Sequence, residues 1–269
     1  QELVTAGSAN GTGTIEYKVN DGAYTTIIPT ATNAGTYTVY YKVTGDNNHF
    51  DVAEASISVT IAKKANTLTL SSGSGTYTYP TSGTFTVSTN TSNGTLSCSS
   101  SNNNIATCSV SGTTVTITPK TTAGTATLTI TSAATTNYNS KTATYSATVK
   151  AGTLSVEANG YSGTYDGSAH GITVTANAGA TIKYGTSSGT YDRTSSPTYT
   201  TAGTYTVYYQ VSLAGYTTVT GSKTVSIAKA NNTLELSASS GTHTYPTNGT
   251  FTVKTNTSGG TLSCSSNNN

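Results

Sequence analysis

The sequence lacks methionine and tryptophan, and it has little charge. Among 269 residues there are three Cys, five Pro and three Phe, and charged residues make up 8%, against roughly 25% in an ordinary soluble domain. The net charge is only +2 and no cluster of Lys and Arg is present. Nucleic acid and anionic membrane surfaces attract strongly basic proteins, so we expect no nucleic-acid partner.

Long hydrophobic runs are also missing. A membrane-spanning helix needs 18 or more apolar residues in a row, and the sequence has no such run. We therefore expect no membrane insertion in this segment. The first residues, Gln1-Glu2-Leu3-Val4-Thr5, lack the basic start and apolar centre of a signal peptide, and we expect any export signal or anchor to lie outside this segment.

The residues that are abundant are those of exposed β-sheets. Thr, Ser, Asn and 19 Tyr alternate with Val, Ile and Leu, and β-branched and aromatic residues favour strands. In Ala34–Tyr41, for example, Val39 and Tyr37 share one face of a strand while Tyr40 shares the other with Thr residues. Disorder is a weaker interpretation, because disordered chains have few aromatic or β-branched residues.

Internal repetition sets the domain organisation. Ala34–Tyr41 recurs letter for letter as Ala202–Tyr209, and later matches such as Cys98 with Cys264 fall 166 positions apart. Repeats of this kind indicate an array. We predict four modules: A1 (1–62) and A2 (151–228) of one type, and B1 (63–150) and B2 (229–269) of another, with A1 missing N-terminal strands and B2 missing C-terminal strands. Both ends are expected to be cut from a longer array.

Short alternating runs separated by Gly, Asn, Ser or Pro predict the fold. In A1 they predict strands at 14–19, 36–43 and 56–61, with a tight turn at Asn20-Asp21-Gly22. B1 holds seven or eight such runs within 90 residues, which is typical of an immunoglobulin-like sandwich. The predicted fold class is all-β: an elongated tandem array of immunoglobulin-like antiparallel β-sandwiches.

Two families resemble these modules. The A type resembles the bacterial immunoglobulin-like repeats called MBG or YDG domains, through Tyr165–Val174, Ile182–Gly185, Ala202–Tyr209 and Val225–Lys229. The B type resembles group 2 bacterial immunoglobulin-like domains, through Ser99–Thr107 and Gly124–Ile130, but departs from them at Cys98 and Cys108.

These resemblances imply a setting and a role. They imply modules of a secreted or cell-surface bacterial fibre or adhesin stalk, mostly serving as spacers, without catalytic residues or cofactors. The expected partners are neighbouring repeats of the same protein, with filament self-association as a further option. The alternative is an adhesin module that binds extracellular glycan or host protein through exposed tyrosines, here Tyr40 and Tyr208; cross-strand packing would explain the same tyrosines without a ligand.

Few residues are candidates for other chemistry. Cys98 and Cys108 lie in adjacent predicted strands of a protein expected outside the cell, which predicts a disulfide; two buried thiols are the alternative. Cys264 is then predicted to be a free thiol. We expect no metal site, although Asp46 and Asp51 offer oxygens to Ca²⁺ as a minor alternative. The histidines, His49, His170 and His243, are interpreted as surface or turn residues, and we predict no enzyme.

Overall fold

The computed structural model describes residues 1–9 and 11–267, and every regular element in that part of the chain is a β-strand. The strands are β1 (Thr14–Val19), β2 (Gly35–Thr44), β3 (Val52–Ile61), β4 (Leu68–Leu70), β5 (Ser74–Thr78), β6 (Gly83–Asn90), β7 (Leu96–Ser100), β8 (Ala106–Ser111), β9 (Thr114–Pro119), β10 (Gly124–Ser132), β11 (Lys141–Lys150), β12 (Val156–Asn159), β13 (Tyr161–Thr164), β14 (Thr173–Ala176), β15 (Thr181–Gly185), β16 (Gly203–Ser212), β17 (Val219–Ala228), β18 (Leu234–Leu236) and β19 (Val253–Asn256). The described residues contain no helix with the length and apolar character needed to cross a membrane.

B1 is a complete sandwich. Its two four-stranded sheets have the orders β4-β6-β9-β8 and β5-β11-β10-β7. In an immunoglobulin fold, strands A, B, E and D form one sheet and strands C, F and G form the other. The sheets of B1 match this order if β4 and β5 are the two halves of strand A, with β5 added beside the last strand, β11. That added pair, β5 with β11, is parallel, whereas the other pairs in B1 are antiparallel. The predicted fold class is therefore confirmed for the module whose strands are all present.

The core of B1 follows from alternation along its strands. In β10, the side chains of Ala126, Leu128 and Ile130 are buried and point between the sheets, while the intervening Thr side chains lie on the outer face. The Phe85 ring stacks on the Tyr145 ring with centroids 4.0 Å apart. Burying each large apolar side chain contributes about 1.5–3 kcal/mol, so the apolar residues that alternate with Thr supply the main favourable term for packing the two sheets together.

The A modules use the same strand plan with fewer strands. A1 has one described sheet, β1-β2-β3, and A2 has a four-stranded sheet, β13-β17-β16-β15, beside the pair β12-β14. The repeated Tyr-Val stretch is the central strand in both copies, β2 and β16, with Val39 and Val207 fully buried. The two valines face the core as the alternation predicts, but Tyr41, which shares the face of Val39 in that prediction, is 41% exposed. B2 contributes the pair β18-β19.

Two compact units divide the chain. The first holds Gln1–Thr153 with Ala214–Tyr216, and the second holds Leu154–Leu213 with Thr217–Asn269. Each sheet lies inside one predicted module, but the four-module division itself stays a prediction. Asn268 and Asn269 of the predicted module B2 lie outside the described residues.

Candidate functional site

The two cysteines of B1 form a disulfide. Cys98 in β7 and Cys108 in β8 are bonded; their Cα atoms are 6.0 Å apart, and the residues are ten positions apart in sequence. These strands are the edge strands of opposite sheets, so the bond fastens the two sheets at one edge. The predicted disulfide is confirmed. Cys264 is an exposed free cysteine.

The two candidate binding tyrosines lie in separate sheets and are both half-buried. Tyr40 is opposite Lys18 and Ser56 on the neighbouring strands, and the Lys18 ammonium lies 4.5 Å from its ring centroid. Tyr208 is opposite Gly185 and Ser222. The two tyrosines therefore differ in their surroundings, because only Tyr208 has small neighbours on both sides.

A cluster of charges and aromatic rings surrounds Tyr40 in A1, and sequence reasoning missed it. Lys18 Nζ is 2.9 Å from Glu54 Oε2, and Lys42 Nζ is 3.2 Å from Glu16 Oε2. Both ammonium groups lie within 5 Å of the Tyr24 ring centroid, and the Tyr24 hydroxyl donates to Glu54. That hydrogen bond, helped by Lys18, lowers the pKa of Glu54. The sequence feature that could have revealed this cluster is the presence of Glu and Lys at alternating positions of neighbouring strands.

This cluster is not shared by the repeat. The residues of A2 that match Glu16, Lys18 and Lys42 are Lys183, Gly185 and Gln210, which cannot reproduce its ion pairs. A function common to both A modules therefore does not depend on it.

Two histidines lie beside aspartates in turns. His49 Nδ1 is 2.7 Å from Asp46 Oδ1, and His170 Nε2 is 2.9 Å from Asp166 Oδ1. Thr12 donates its hydroxyl to Asp46 and, with further bonds from the turn, holds the pKa of that carboxyl well below its usual range. The pKa of Asp166 is lowered first by His170. Sequence reasoning missed both pairs, although each Asp lies three or four positions before its His.

The carboxylates of Asp46 and Asp51 accept hydrogen bonds from their own loop. The Asp46 oxygens already accept hydrogen bonds, and Asp51 Oδ1 accepts the Gly45 N–H at 2.8 Å. Throughout residues 1–9 and 11–267, His, Cys, Asp and Glu side chains form no group of three that could hold a metal ion. The turn interpretation of these residues is the simpler one, because each carboxylate caps its own loop.

Asn137 joins A1 to B1 inside the first unit. Its side-chain oxygen accepts the Ala34 N–H at 2.7 Å, and its amide nitrogen donates to Asn33 Oδ1 at 3.1 Å. Its backbone carbonyl accepts the Lys64 N–H at 2.8 Å. Lys64, at the start of B1, is thus paired with a loop of the same module. Nothing in the sequence distinguishes Asn137 from the many other asparagines.

A buried polar network lies at the start of B1. Asn66 donates to Ser132 Oγ at 3.0 Å and to Asn90 Oδ1 at 3.2 Å, and Ser92 donates to Asn90 at 3.0 Å. No buried side-chain nitrogen or oxygen in the described residues lacks a partner. Satisfied networks of this kind fix geometry, so this network has a structural explanation.

Comparisons with known proteins give structural likeness only. No family model matches the chain, and no curated protein matches it. Domains 4 and 5 of the S-layer protein SbsC are 22% identical over 55% of this chain and 75% of theirs, with a TM-score of 0.27. The titin I-band fragment I67–I69 is 9% identical over 83% of this chain and 90% of its own, with a TM-score of 0.32.

A longer piece of the same S-layer protein, domains 4–9, is 16% identical over 87% of this chain and 42% of its own, with a TM-score of 0.27. Likeness at this level carries no argument about function. The fold assignment rests on the strand order of B1, and the resemblance to the two bacterial families stays a prediction.

Proposed function

We propose that this protein is a structural repeat segment that acts as a spacer in a secreted or cell-surface bacterial fibre or adhesin stalk. The observation that carries the proposal is repetition in both sequence and sheet: one sequence pattern occurs twice, and each copy forms the central strand of its own sheet with its own buried valine, Val39 or Val207. An array of such units gains length with each repeat, because each unit buries its own core.

Two features support a location outside the cell. The Cys98–Cys108 disulfide is of a kind that persists in oxidising compartments and is rare in the cytosol. The 12 Lys and Arg residues in 269 leave few sites for trypsin-like proteases. Both features suit an exposed stalk, and neither requires a ligand.

Small-angle X-ray scattering tests the spacer role. A compact chain of this length has a radius of gyration of about 18 Å, whereas a row of small modules is expected to give roughly twice that value. A measured value near that of a compact chain would contradict the proposal.

A second candidate function is binding of glycan or host protein at Tyr208. Its ring is half-buried, and its neighbours across the sheet are Gly185 and Ser222. An aromatic ring between small side chains offers a flat surface for stacking. At Tyr40 the corresponding space is occupied by Lys18, so the two copies are not equivalent.

A further inference from the structure

The loop between β15 and β16 of A2 carries the single arginine of the sequence. All other basic positions are lysine, so Arg193 is the one guanidinium among 269 residues. A guanidinium is a planar fork of N–H donors that can hold both oxygens of a carboxylate, whereas an ammonium acts as a point charge. This loop therefore offers a kind of anion recognition that the rest of the chain lacks.

The loop around Arg193 is fixed at both of its ends. Arg193 and Tyr184 exchange two backbone hydrogen bonds, of 2.8 and 3.0 Å, and Tyr199 and His170 exchange two more, of 2.9 and 3.0 Å. Between these points, the Ser196 hydroxyl accepts a backbone N–H at 3.0 Å. A loop that is already ordered loses little conformational freedom when a ligand binds.

A polar pocket of about 470 Å³ lies beside this loop, within the range of roughly 300–1,000 Å³ that holds small ligands. Its lining combines one guanidinium with hydroxyl-bearing side chains and a proline, Pro197. The residues with these polar groups are Thr186, Arg193, Ser195, Ser196, Thr198 and Tyr199. None of the described residues that line it is acidic. A ligand that carries both hydroxyl groups and a negative charge matches this lining.

The Tyr199 ring provides a fixed wall of the pocket. It stacks on the Tyr205 ring with centroids 3.9 Å apart and planes inclined by 6°, and it is half-buried. Aromatic side chains are common in the walls of small-ligand sites. The pocket thus has one rigid apolar wall besides its polar groups.

Asp192 is the acidic side chain closest to the guanidinium. Its Oδ1 lies 3.8 Å from Arg193 Nε, and the side chains of Asp192 and Arg193 are 66% and 55% exposed. An exposed ion pair at this separation contributes little stability. The guanidinium is therefore available to a ligand, with Asp192 as a weak competitor.

The first copy of the module has a different loop. Thr25 makes with β1 the two backbone hydrogen bonds that Arg193 makes with β15, so Thr25 is the counterpart of Arg193. Ile27 and Ile28 of A1 then match Ser195 and Ser196. The cation and the serines are thus specific to A2 and are not required by the fold that both copies share.

We propose that this pocket of A2 binds an acidic saccharide. The carboxylate of a uronic acid pairs with the Arg193 guanidinium, and the sugar hydroxyls bond with the exposed hydroxyls of Ser195 and Thr198. This inference goes beyond the spacer role, which stands whether or not the pocket binds.

The pocket is also separate from the candidate surface at Tyr208. Tyr208 is opposite Gly185, whereas Arg193 is bridged to Tyr184. Side chains at neighbouring positions of a strand point to opposite faces of the sheet. Binding at Arg193 therefore does not depend on Tyr208.

NMR titration of the full chain tests the proposal. Because Arg193 is the single arginine, ¹⁵N-arginine labelling gives one side-chain Nε–H signal. We expect D-glucuronate to shift this signal saturably, acetate to bind roughly tenfold more weakly, and D-glucose to cause no saturable shift. Equal affinity for acetate would mean that any carboxylate binds and would overturn the saccharide assignment. Absence of a saturable shift with D-glucuronate would overturn the site itself.

Three substitutions test the roles of the charged groups, with uniformly ¹⁵N-labelled chains and the backbone amide of Tyr199 as the reporter. Arg193→Lys keeps the charge but loses the fork, so binding of D-glucuronate should weaken roughly tenfold. Asp192→Asn removes the competing carboxylate and should strengthen binding roughly twofold. Lys183→Gln removes a positive charge from the other face of β15 and should leave the affinity unchanged. Equal affinity of the Arg193→Lys variant and the unaltered chain, or equal weakening by Lys183→Gln, would contradict the proposal.

Discussion

Cys98 and Cys108 illustrate how much a single pair of residues contributes in a thin sandwich. They link edge strands of opposite sheets, and both pack against the edge of the apolar core. Closing a loop of about ten residues is worth roughly 2–3 kcal/mol through the unfolded state. The bond therefore has its main effect on the free energy of unfolding of B1.

Replacing both cysteines should destabilise B1 alone. For Cys98→Ser with Cys108→Ser, we expect the free energy of opening in β10 to fall by roughly 2–3 kcal/mol, measured by hydrogen exchange with mass spectrometry. Cys264→Ser is the matched control and should change nothing in β10. An equal loss in A2 would show that the modules do not unfold separately.

Tyr208 distinguishes a binding module from a plain spacer. If the second candidate function holds, a glycan array should show saturable binding that Tyr208→Ala abolishes and Tyr40→Ala leaves intact, because Lys18 already lies over the Tyr40 ring. If no glycan or host protein binds the intact chain, the spacer role is the remaining one. Loss of binding in both variants would argue against a site at Tyr208.

At the residue scale, contacts between side chains that are close in sequence were easier to predict than contacts between distant ones. Cys98 and Cys108 are joined by one short loop, so their bond was predictable. Asp46 and His49 are also close in sequence, but their contact was not predicted, because an aspartate in a turn can cap the loop without a histidine. Asn137 contacts Asn33 across more than one hundred positions, and no local pattern encodes such a contact.

Among the elements, β5 and β11 are joined by a hydrogen bond between two tyrosine side chains as well as by their backbone hydrogen bonds. The Tyr77 and Tyr145 hydroxyls are 2.6 Å apart. Burial, with the hydrogen bond to Tyr145, raises the pKa of Tyr77. Because the folded state favours the neutral phenol, the stability from this group is present below the unfolded pKa of about 10 and is lost as the pH rises further.

Tyr77→Phe tests this pH dependence. At pH 7 the variant should lose roughly 1 kcal/mol through the missing hydrogen bond. Above pH 10 its stability should fall less steeply than that of the unaltered protein, because the variant lacks the tyrosine whose pKa is raised on folding. Urea unfolding of both proteins across pH 7–12 measures the difference. Parallel pH profiles would contradict the role given to Tyr77.

Asn137 tests the coupling of A1 to B1. Asn137→Ala removes the acceptor of the Ala34 N–H, so hydrogen exchange at Ala34 should accelerate while β10 keeps its protection. Asn139→Ala is the control, because Asn139 bonds Lys64 through its backbone N–H. Unchanged exchange at Ala34 in the Asn137 variant would show that the side-chain contact does not hold the junction.

Strand positions were largely predictable, and strand partners were less so. Predicted strand 14–19 matches β1 at both ends, since alternating residues and the Asn20-Asp21-Gly22 turn define it locally. The parallel pairing of β13 with β17 joins residues about 60 positions apart. No repeating pattern in the sequence indicates that these two strands are partners.

For the whole molecule, the central claim is that separate β-sandwich modules are joined in series. Repetition in the sequence predicts this plan, and each sheet lies inside one predicted module. B1 provides the sharpest test, because it is the complete sandwich and carries a disulfide that can be reduced. A module in series should unfold by itself when the chain is pulled from its two ends.

Single-molecule force spectroscopy of the full chain measures this directly. The account predicts a separate unfolding event for B1 that releases roughly 25 nm of chain, and reduction of Cys98–Cys108 should lengthen that event by roughly 3 nm without altering the others. One cooperative event that releases the whole chain at once would contradict the claim, as would a length change on reduction spread over several events.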